Sequence, residues 1–471
     1  MSFLWKAAVW AAVIFAAPVW ASAQQPDRAT LPEPAEAVGR PAPVSWRLED
    51  LEAIALRSNP TVAQASAAIA QQEGIWKQVG LYPNPQAGYL RTDSNDPQNR
   101  NNGVFASQEI VTAKKLQLNR AVEAQEIERL RLEQEAQRQR VLNDLRIRYY
   151  ELLGAQEAVV ISAEMLRLAD EGLNAAERLF KARGASRPDV LQARIQRNAA
   201  RVTLEDARFR YDAAWHQLTT IVGQPDLQRL PVAGRLDGPT KQLVWEDALN
   251  ELLAFSPQVR AADVRISHAR RELAREQAQP IPNVTAQMLA EYDRFTNVTT
   301  VSALLAAPIP VFNRNQGNIS HAMADIREAI AESERVRLVL RDQLADTFRR
   351  YQAARYQVER LHDEILADAK ENLDLVTTGQ KVGEFNLFQV LVARQTFAQS
   401  QLAYVESLTE LQKVAVEMNG LQLTGGLNPA ALGAAVQTSG AGAGRQKALL
   451  NQLQETNTQP LLAPALQAVG P

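Results

Sequence analysis

The chain has 471 residues, with 51 basic and 53 acidic side chains and no cysteine. This balance of charge argues against a nucleic-acid-binding protein, whose surface carries a clustered basic excess. The lack of cysteine excludes disulfides, thiolate metal sites and cysteine nucleophiles.

The first 23 residues have the pattern of a secretory signal peptide. Lys6 is followed by the apolar stretch Ala7–Ala17 and by the small-residue sequence Ala21-Ser22-Ala23. The alternative is a membrane anchor, but the apolar run is shorter than the ~20 residues that a spanning helix requires. The sequence therefore predicts export. Residues 24–45 contain several prolines and are predicted to form an extended linker.

An internal duplication organises the rest of the chain. Pro60, Pro83 and Pro85 recur as Pro257, Pro280 and Pro282, each 197 positions later. A repeat of this length means two copies of one structural unit. The two copies are predicted at residues 46–223 and 245–424, joined by a linker at 224–244. Residues 425–471 are rich in Gly, Ala, Gln and Pro and are predicted to be a mostly disordered tail.

Each copy is predicted to begin with two helices followed by two short strands. The second helix of each pair starts with proline, behind Asn59 or Ser256 as the cap. Apolar and polar residues alternate most clearly at 284–293, and a period of two indicates a strand. The predicted strands are residues 86–93, 103–111, 284–293 and 298–307.

A long helix and a returning helix complete each copy. Proline is absent from Gln98 to Arg187 and from Val311 to Asn428. Apolar residues recur there every seven positions, which predicts coiled-coil packing; they are Leu145, Leu152, Val159, Leu166, Leu173 and Phe180, then Leu344, Tyr351, Val358 and Ile365. The long helices are predicted at 115–181 and 314–381, and the returning helices at 187–222 and 387–419. At ~1.5 Å per residue, the first would be on the order of 100 Å long.

Four strands are too few to close a barrel, because the smallest membrane barrels have about eight. An open sheet in lipid would leave edge groups unpaired, at a cost of several kcal/mol each. If these strands cross a membrane, several copies of the chain must share one barrel.

The duplicated helix–strand–strand–helix plan resembles the TolC family of outer-membrane efflux channels, over residues 46–424. The segments Pro308–Ile319 and Tyr82–Pro85 resemble its cobalt-zinc-cadmium resistance branch. The resemblance implies a mostly α fold and a homotrimer in which each chain contributes four strands to a twelve-stranded β-barrel in outer-membrane lipid. An α-helical barrel would stand in the periplasm. It also implies a passive export duct for heavy-metal cations or other small toxic solutes, working with a periplasmic adaptor and a proton-driven inner-membrane RND pump.

The resemblance assigns adaptor contact and closure of the tube to the two turns between the long and returning helices. These tip residues are Gly184, Ala185, Ser186, Asp189, Val190 and Leu191, then Gly383, Phe385, Asn386, Val390 and Leu391. A glycine is expected to take the left-handed position in each turn. Some relatives carry an acidic ring inside the second tip, whereas this chain has Gln389 there. Asp189 and Gln389 are therefore the candidate gate residues. The alternative for Asp189 is an acid at a helix start, favoured by the helix dipole.

No catalytic constellation, cofactor site or metal site is predicted, since the four histidines share no ligand spacing. The chain is accordingly expected not to be an enzyme. Two other functions stay open at this point. One is a channel of the same fold for multidrug efflux or type I secretion. The other is a periplasmic coiled-coil adaptor that does not enter the membrane.

Overall fold

The computed structural model describes residues 45–93, 100–238, 243–294 and 296–428. The predicted signal peptide, all but the last residue of the N-terminal linker, and the tail from residue 429 lie outside the described residues. The helices are α1 Leu48–Ser58, α2 Pro60–Gln78, α3 Lys115–Lys181, α4 Arg187–Val222, α5 Trp245–Phe255, α6 Pro257–Ala278, α7 Gln316–Arg360, α8 Leu366–Lys381 and α9 Leu387–Asn419. The strands are β1 Gln86–Asp93, β2 Arg100–Ile110, β3 Val284–Asp293 and β4 Val298–Ala306. The predicted class, mostly helical with a small sheet, is confirmed.

The four strands form one antiparallel sheet in the order β1-β2-β3-β4. Tyr89 lies opposite Val104, Val104 opposite Ala290, and Ala290 opposite Val301. Directly opposed residues share a face, so this row belongs to one apolar face. The same face also carries Ala87, Ala106, Ala286, Met288, Ala303 and Leu305. The opposite face is mixed and includes Gln287, Glu291, Thr300 and Ser302.

None of the described helices is long and apolar enough to cross a membrane.

The segment predicted as a linker between the copies belongs to the core of the first copy. Trp46 N–H donates to Pro231 O at 2.9 Å, and Ala233 N–H donates to Trp46 O at 2.9 Å. Val232 and Leu236 are buried against Leu145 and Leu218 of α3 and α4. The start of the first copy and the connection to the second are thus packed together.

The ordered C-terminal end extends past the predicted boundary at residue 425. Gly425 and Gly426 donate their N–H groups to the Asp144 carboxylate at 3.2 and 2.7 Å. Gly426 O accepts from Gln137 Nε2 at 2.8 Å and from Thr61 Oγ1 at 2.9 Å. The prediction of a tail from 425 therefore started too early. Glycine-rich composition indicated disorder, whereas the backbone of these glycines satisfies buried polar side chains of α2 and α3.

The two long helices differ, although their sequences are related. α3 is continuous over 67 residues. In the second copy a π-helical turn, Leu361–Ile365, separates α7 from α8. Before this turn in the sequence, Leu344 matches Leu145 at a separation of 199. After the turn, on the side of the hairpin tip, Val376 matches Ala176 at a separation of 200. Between these two positions the second copy has one additional residue, which the wider π-helical turn accommodates, although the whole helical stretch Gln316–Lys381 is one residue shorter than α3.

The extra residue also explains why the last heptad position of the second copy was wrongly predicted. Leu344 and Tyr351 are buried as expected, but Ile365 lies in the π-turn and is 48 % exposed. Below the turn the buried positions are Ala369 and Val376. An inserted residue rotates the following helix by about 100° relative to a seven-residue repeat, so the seam moves to new positions.

We predict that the second long helix tolerates removal of one residue and that the first does not. Deleting Asp363, which is exposed in the π-turn, should give a continuous α-helix and a level of folded protein near that of the wild type. The control is deletion of the exposed Ala163 in α3. That deletion rotates Leu173 and Ala176 out of their cluster, and each lost buried contact costs about 2 kcal/mol or more. Equal loss of folded protein for both deletions would contradict the assignment of the spare residue to the π-turn.

Candidate functional site: the two hairpin tips

Both tips end their long helix in the same way. Gly184 N–H donates to Leu179 O at 2.8 Å, and Glu384 N–H donates to Gly379 O at 2.9 Å. These bonds span five residues and belong to the Schellman motif, which needs one left-handed residue just before the donor. That residue is Arg183 in the first tip, with φ 61°, and Gly383 in the second, with φ 86°. The expectation that Gly184 is left-handed was wrong, because the helix ends one residue too early for this glycine.

Both returning helices also start in the same way, with a reciprocal capping box. In the first tip the Asp189 carboxylate accepts from Ser186 N at 2.8 Å and from Ser186 Oγ at 2.7 Å. In the second, Gln389 Oε1 accepts from Asn386 N at 2.9 Å, and Asn386 Oδ1 accepts from Gln389 N at 2.9 Å. The two candidate gate residues therefore occupy one structural position in the two copies.

Only the first of these positions carries a charge. The hydrogen bonds from Ser186 hold the pKa of Asp189 below its ordinary value, because they favour the carboxylate. The group is fully exposed and ionised at neutral pH. Both roles considered for Asp189 are thus compatible, since the same carboxylate caps α4 and places a negative charge at the tip.

Several predicted tip residues are packed inside the chain. Val390 is 1 % exposed and lies with Val376 and Ala393, beside the partly buried Phe385. Leu391 is also buried, but it points into the first hairpin, against Ala176 and Ala193 with Val190 at the edge. The predicted tip residues Val190, Phe385, Val390 and Leu391 thus stabilise the tips by packing inside the chain.

Two glycines make this packing possible, and no pattern in the sequence predicts their role. A Cβ added to Gly379 would lie 2.3 Å from Phe385 Cδ2, and one added to Gly172 would lie 2.4 Å from Leu391 Cδ2. Both distances are shorter than any real contact. Glycine at these positions lets an apolar side chain from the other segment rest directly on the helix backbone.

The exposed surface of the tips is more apolar than the predicted set suggested. The exposed residues of the predicted set are Gly184, Ser186, Asp189, Gly383 and Asn386. Leu191 is 44 % exposed, and Ala185 is half-buried. Exposed apolar side chains outside the predicted tip set lie beside them; they are Leu179, Val382, Phe388 and Val392. Phe180, which the heptad pattern placed in the seam, is also 41 % exposed. Val382, next to the left-handed Gly383, is 76 % exposed. The sequence signal for this exposed surface would have been apolar residues that flank the turns but do not fall on the seven-residue repeat of the core.

Side-chain ion pairs fix the two helices of the first hairpin above its tip. Arg197 Nε lies 2.9 Å from Asp170 Oδ1, and Arg194 Nη2 lies 3.3 Å from Glu177 Oε1. Across the part of the chain that the structure describes, no three His, Asp or Glu side chains are grouped so as to hold a metal ion. The tip surface therefore combines apolar side chains and capped helix ends with exposed charges, which include Asp189, Glu384, Arg183 and Arg187.

Two segments of the chain, residues 51–224 and 248–421, match the sequence profile of the family described as outer membrane efflux protein. The chain belongs to this family. The matched segments begin 197 residues apart, which is the separation of the internal duplication. The family match thus covers both copies of the helix–strand–strand–helix unit.

Among the relatives of this efflux protein is the cobalt-zinc-cadmium resistance protein CzcC of Cupriavidus metallidurans. The two are 26 % identical over 418 residues, which is 87 % of this chain and 96 % of CzcC. Among solved structures, CusC superposes with a TM-score of 0.67 at 16 % identity, over 80 % of this chain and 92 % of CusC. The outer membrane protein VceC from Vibrio cholerae gives 0.63 at 18 % identity, over 80 % and 96 %. These likenesses identify the fold as that of outer-membrane efflux channels.

We predict that Arg183→Gly stabilises the first tip of this efflux protein. A non-glycine residue in the left-handed conformation costs about 1 kcal/mol, and glycine removes that cost. Hydrogen exchange of Gly184 N–H and its neighbours should therefore slow about fivefold. Arg187→Gly is the control, because Arg187 starts α4 with helical geometry, where glycine brings no gain. Unchanged or faster exchange in Arg183→Gly would show that Arg183 is not strained in the protein.

Proposed function

We propose that the chain is the outer-membrane duct of a tripartite efflux system that exports heavy-metal cations from the periplasm or cytoplasm. Its relationship to CzcC, over 87 % of this chain and 96 % of CzcC, is the observation that carries the choice of cargo. An RND pump in the inner membrane would supply the energy, and a periplasmic adaptor would join the pump to the tips. The duct itself would be passive and perform no chemical reaction.

A homotrimer satisfies the constraints that the sheet imposes. β1 and β4 are its outer strands, so each has one side without a neighbouring strand within the described chain. Three copies joined edge to edge would give twelve strands, which is within the range of outer-membrane barrels. The apolar face, with exposed Tyr89, Val104, Met288 and Val301, would then meet outer-membrane lipid. The mixed face would line the lumen.

The tips are the proposed contact surface for the adaptor and the place where the tube closes. Gly184, Ser186, Leu191, Gly383 and Asn386 would form this surface together with the apolar residues beside them. Val190, Phe385, Val390 and Leu391 would act indirectly, since they fix the tips from inside. Asp189 would form a ring of three carboxylates, and Gln389 would add a neutral ring.

We predict that loss of the gene lowers the tolerance of the host bacterium to cobalt, zinc or cadmium, and that a plasmid copy restores it. The purified protein should also conduct ions across a planar bilayer, because a closed barrel in lipid leaves a wet lumen. Lower drug tolerance with unchanged metal tolerance would favour the multidrug channel instead. Purified protein that is folded but never conducts would contradict the duct.

We predict that Asp189→Asn reduces the preference of the channel for cations over anions. Three carboxylates around a narrow opening attract cations, and the variant removes all three charges. Ser186→Ala is the matched control, because it removes the capping hydroxyl but keeps the carboxylate. Reversal potentials under a salt gradient at pH 7 measure the difference. Since the pKa of Asp189 is lowered, the preference of the wild type should persist until the pH falls below the ordinary pKa of an aspartate, about 3.9. Equal potentials for Asp189→Asn and Ser186→Ala would leave Asp189 with a capping role alone.

A further inference from the structure

Closure of the barrel requires β4 of one copy to lie beside β1 of the next, and the internal duplication indicates which residues meet. This inference rests on the proposed trimer. The chain already contains one junction between the second strand of one repeat and the first strand of the following repeat. That junction is the pairing of β2 with β3, and it serves as a template for the contact between chains.

The correspondence between the two copies can be fixed from the strand pairs. Gly88 lies opposite Phe105 in the first copy, and Thr285 lies opposite Ala306 in the second. The proline repeat places β1 against β3 at a separation of 197, so Gly88 corresponds to Thr285, and their partners Phe105 and Ala306 then place β2 against β4 at 201. The helix starts agree, since Lys114 and Asn315 are both left-handed residues preceding a long helix and lie 201 apart.

We propose that β4 and the segment after it meet β1 of the neighbouring copy in the register of the β2–β3 pair. Within one chain, Ile110 lies opposite Val284 and Gln108 opposite Ala286. Adding 201 to the β2 residues and subtracting 197 from the β3 residues gives the equivalent pairs between chains. These pairs are Val311 beside Ala87 and Ile309 beside Tyr89 of the neighbouring copy. The occupant of the exposed edge is thus a second copy of this chain.

The apolar face provides an independent check of this register. On β1 that face carries Ala87 and Tyr89, and on β4 it carries Val301, Ala303 and Leu305. Counted on in steps of two past the end of β4 at Ala306, the same face would carry Ile309 and Val311. The proposed pairs therefore join apolar side chains on one face. A shift by one residue would place them on opposite faces of the sheet.

Burial of the equivalent segments supports the same partner. In the first copy Thr112 Oγ1 donates to Pro282 O at 2.6 Å, and Thr112 N–H donates to Asn283 Oδ1 at 3.3 Å. Residues 111–113 are half-buried by this contact, whereas their counterparts, residues 312–314, are exposed. Ile309 is 83 % and Phe312 is 92 % exposed, and Tyr89 is 65 % exposed on the opposite edge. Apolar side chains are therefore exposed at the outer edges of β1 and β4, whereas the equivalent positions at the β2–β3 junction are covered by the adjoining strand.

The contact made by residues 308–312 is mainly between side chains. Pro308 and Pro310 have no N–H group, and Val311 N–H already donates to Ile309 O at 2.9 Å. The β-ladder would end at this point, and the apolar side chains would cover the neighbour's β1 just below it. The result is an apolar seal between copies where the sheet gives way to the helices.

The absence of cysteine makes cross-linking a direct test. Two matched double variants place cysteines at the proposed neighbours: Ile309→Cys with Tyr89→Cys, and Val311→Cys with Ala87→Cys. Two controls shift the register: Ile309→Cys with Leu90→Cys, and Val311→Cys with Arg91→Cys. Opposed side chains have Cβ atoms about 4.5–5.5 Å apart, within reach of a disulfide after small movements. A bond within one chain is excluded, because two strands, each about 4.8 Å wide, separate β1 from β4.

Mild oxidation of full-length protein in outer-membrane vesicles should convert most of each matched variant into covalent dimers and trimers that reductant reverses. The shifted variants should stay largely monomeric on the same denaturing gel. Cross-linking of the shifted variants instead would overturn the register. A trimer by native mass measurement in which no matched pair cross-links would also overturn it, while leaving the proposed duct intact. A monomer by mass, with no cross-linking in any variant, would remove both the register and the duct.

Discussion

Backbone hydrogen bonding at the two outer strands is the constraint on which the rest of the architecture depends. The sheet has four strands, and its edges are β1 and β4. In lipid, each unpaired backbone group costs several kcal/mol, so an open sheet of this size has no stable place there alone. A duplication that adds two strands per copy brings the chain only part of the way to closure. Association of whole chains would remove this shortage, and in the proposed trimer the long helices would form a shared tube.

The duplication supplies similar parts, and single-residue differences make them unequal. Each hairpin has the same Schellman motif, the same capping box and a comparable small apolar cluster. The π-turn Leu361–Ile365 nevertheless changes the phase of α8 relative to α7. Above it, Arg350 bonds Glu417 of α9 at 2.8 Å, and Lys413 of α9 bonds Glu151 of α3 at 3.0 Å. Ion pairs thus join the two copies on the sheet side of the π-turn. On the tip side, the two long helices differ in which positions face the core.

Much of the fold could be predicted because its signals are periodic and long. The alternation in β3, the proline pairs and the proline-free heptads each extend over many residues. A single exception, such as the apolar Leu289 among the polar positions of β3, therefore does not hide the pattern. The failures depend on single positions. α3 ends at Lys181 as predicted, but the left-handed residue is Arg183, and the glycine that suggested this conformation stands one position later. The packing of Phe385 and Leu391 depends on Gly379 and Gly172, and Gly172 lies in the other copy from Leu391. Composition likewise could not show that Gly425 and Gly426 bind Asp144.

The way in which the tips are built bears on how such a tube could open. Each turn satisfies its own backbone groups, through the bonds of Gly184 and Glu384 at one helix end and the capping boxes at the other. Displacing a whole tip would therefore break no backbone hydrogen bond in the turn, which removes the largest cost of moving a helix end. The contact that would be lost is apolar, chiefly Leu391 against Gly172 and Ala176 of the first hairpin. Side-chain packing of this kind has more than one acceptable arrangement, so in the proposed tube the resistance to opening would lie in how the hairpins pack together rather than in their turns.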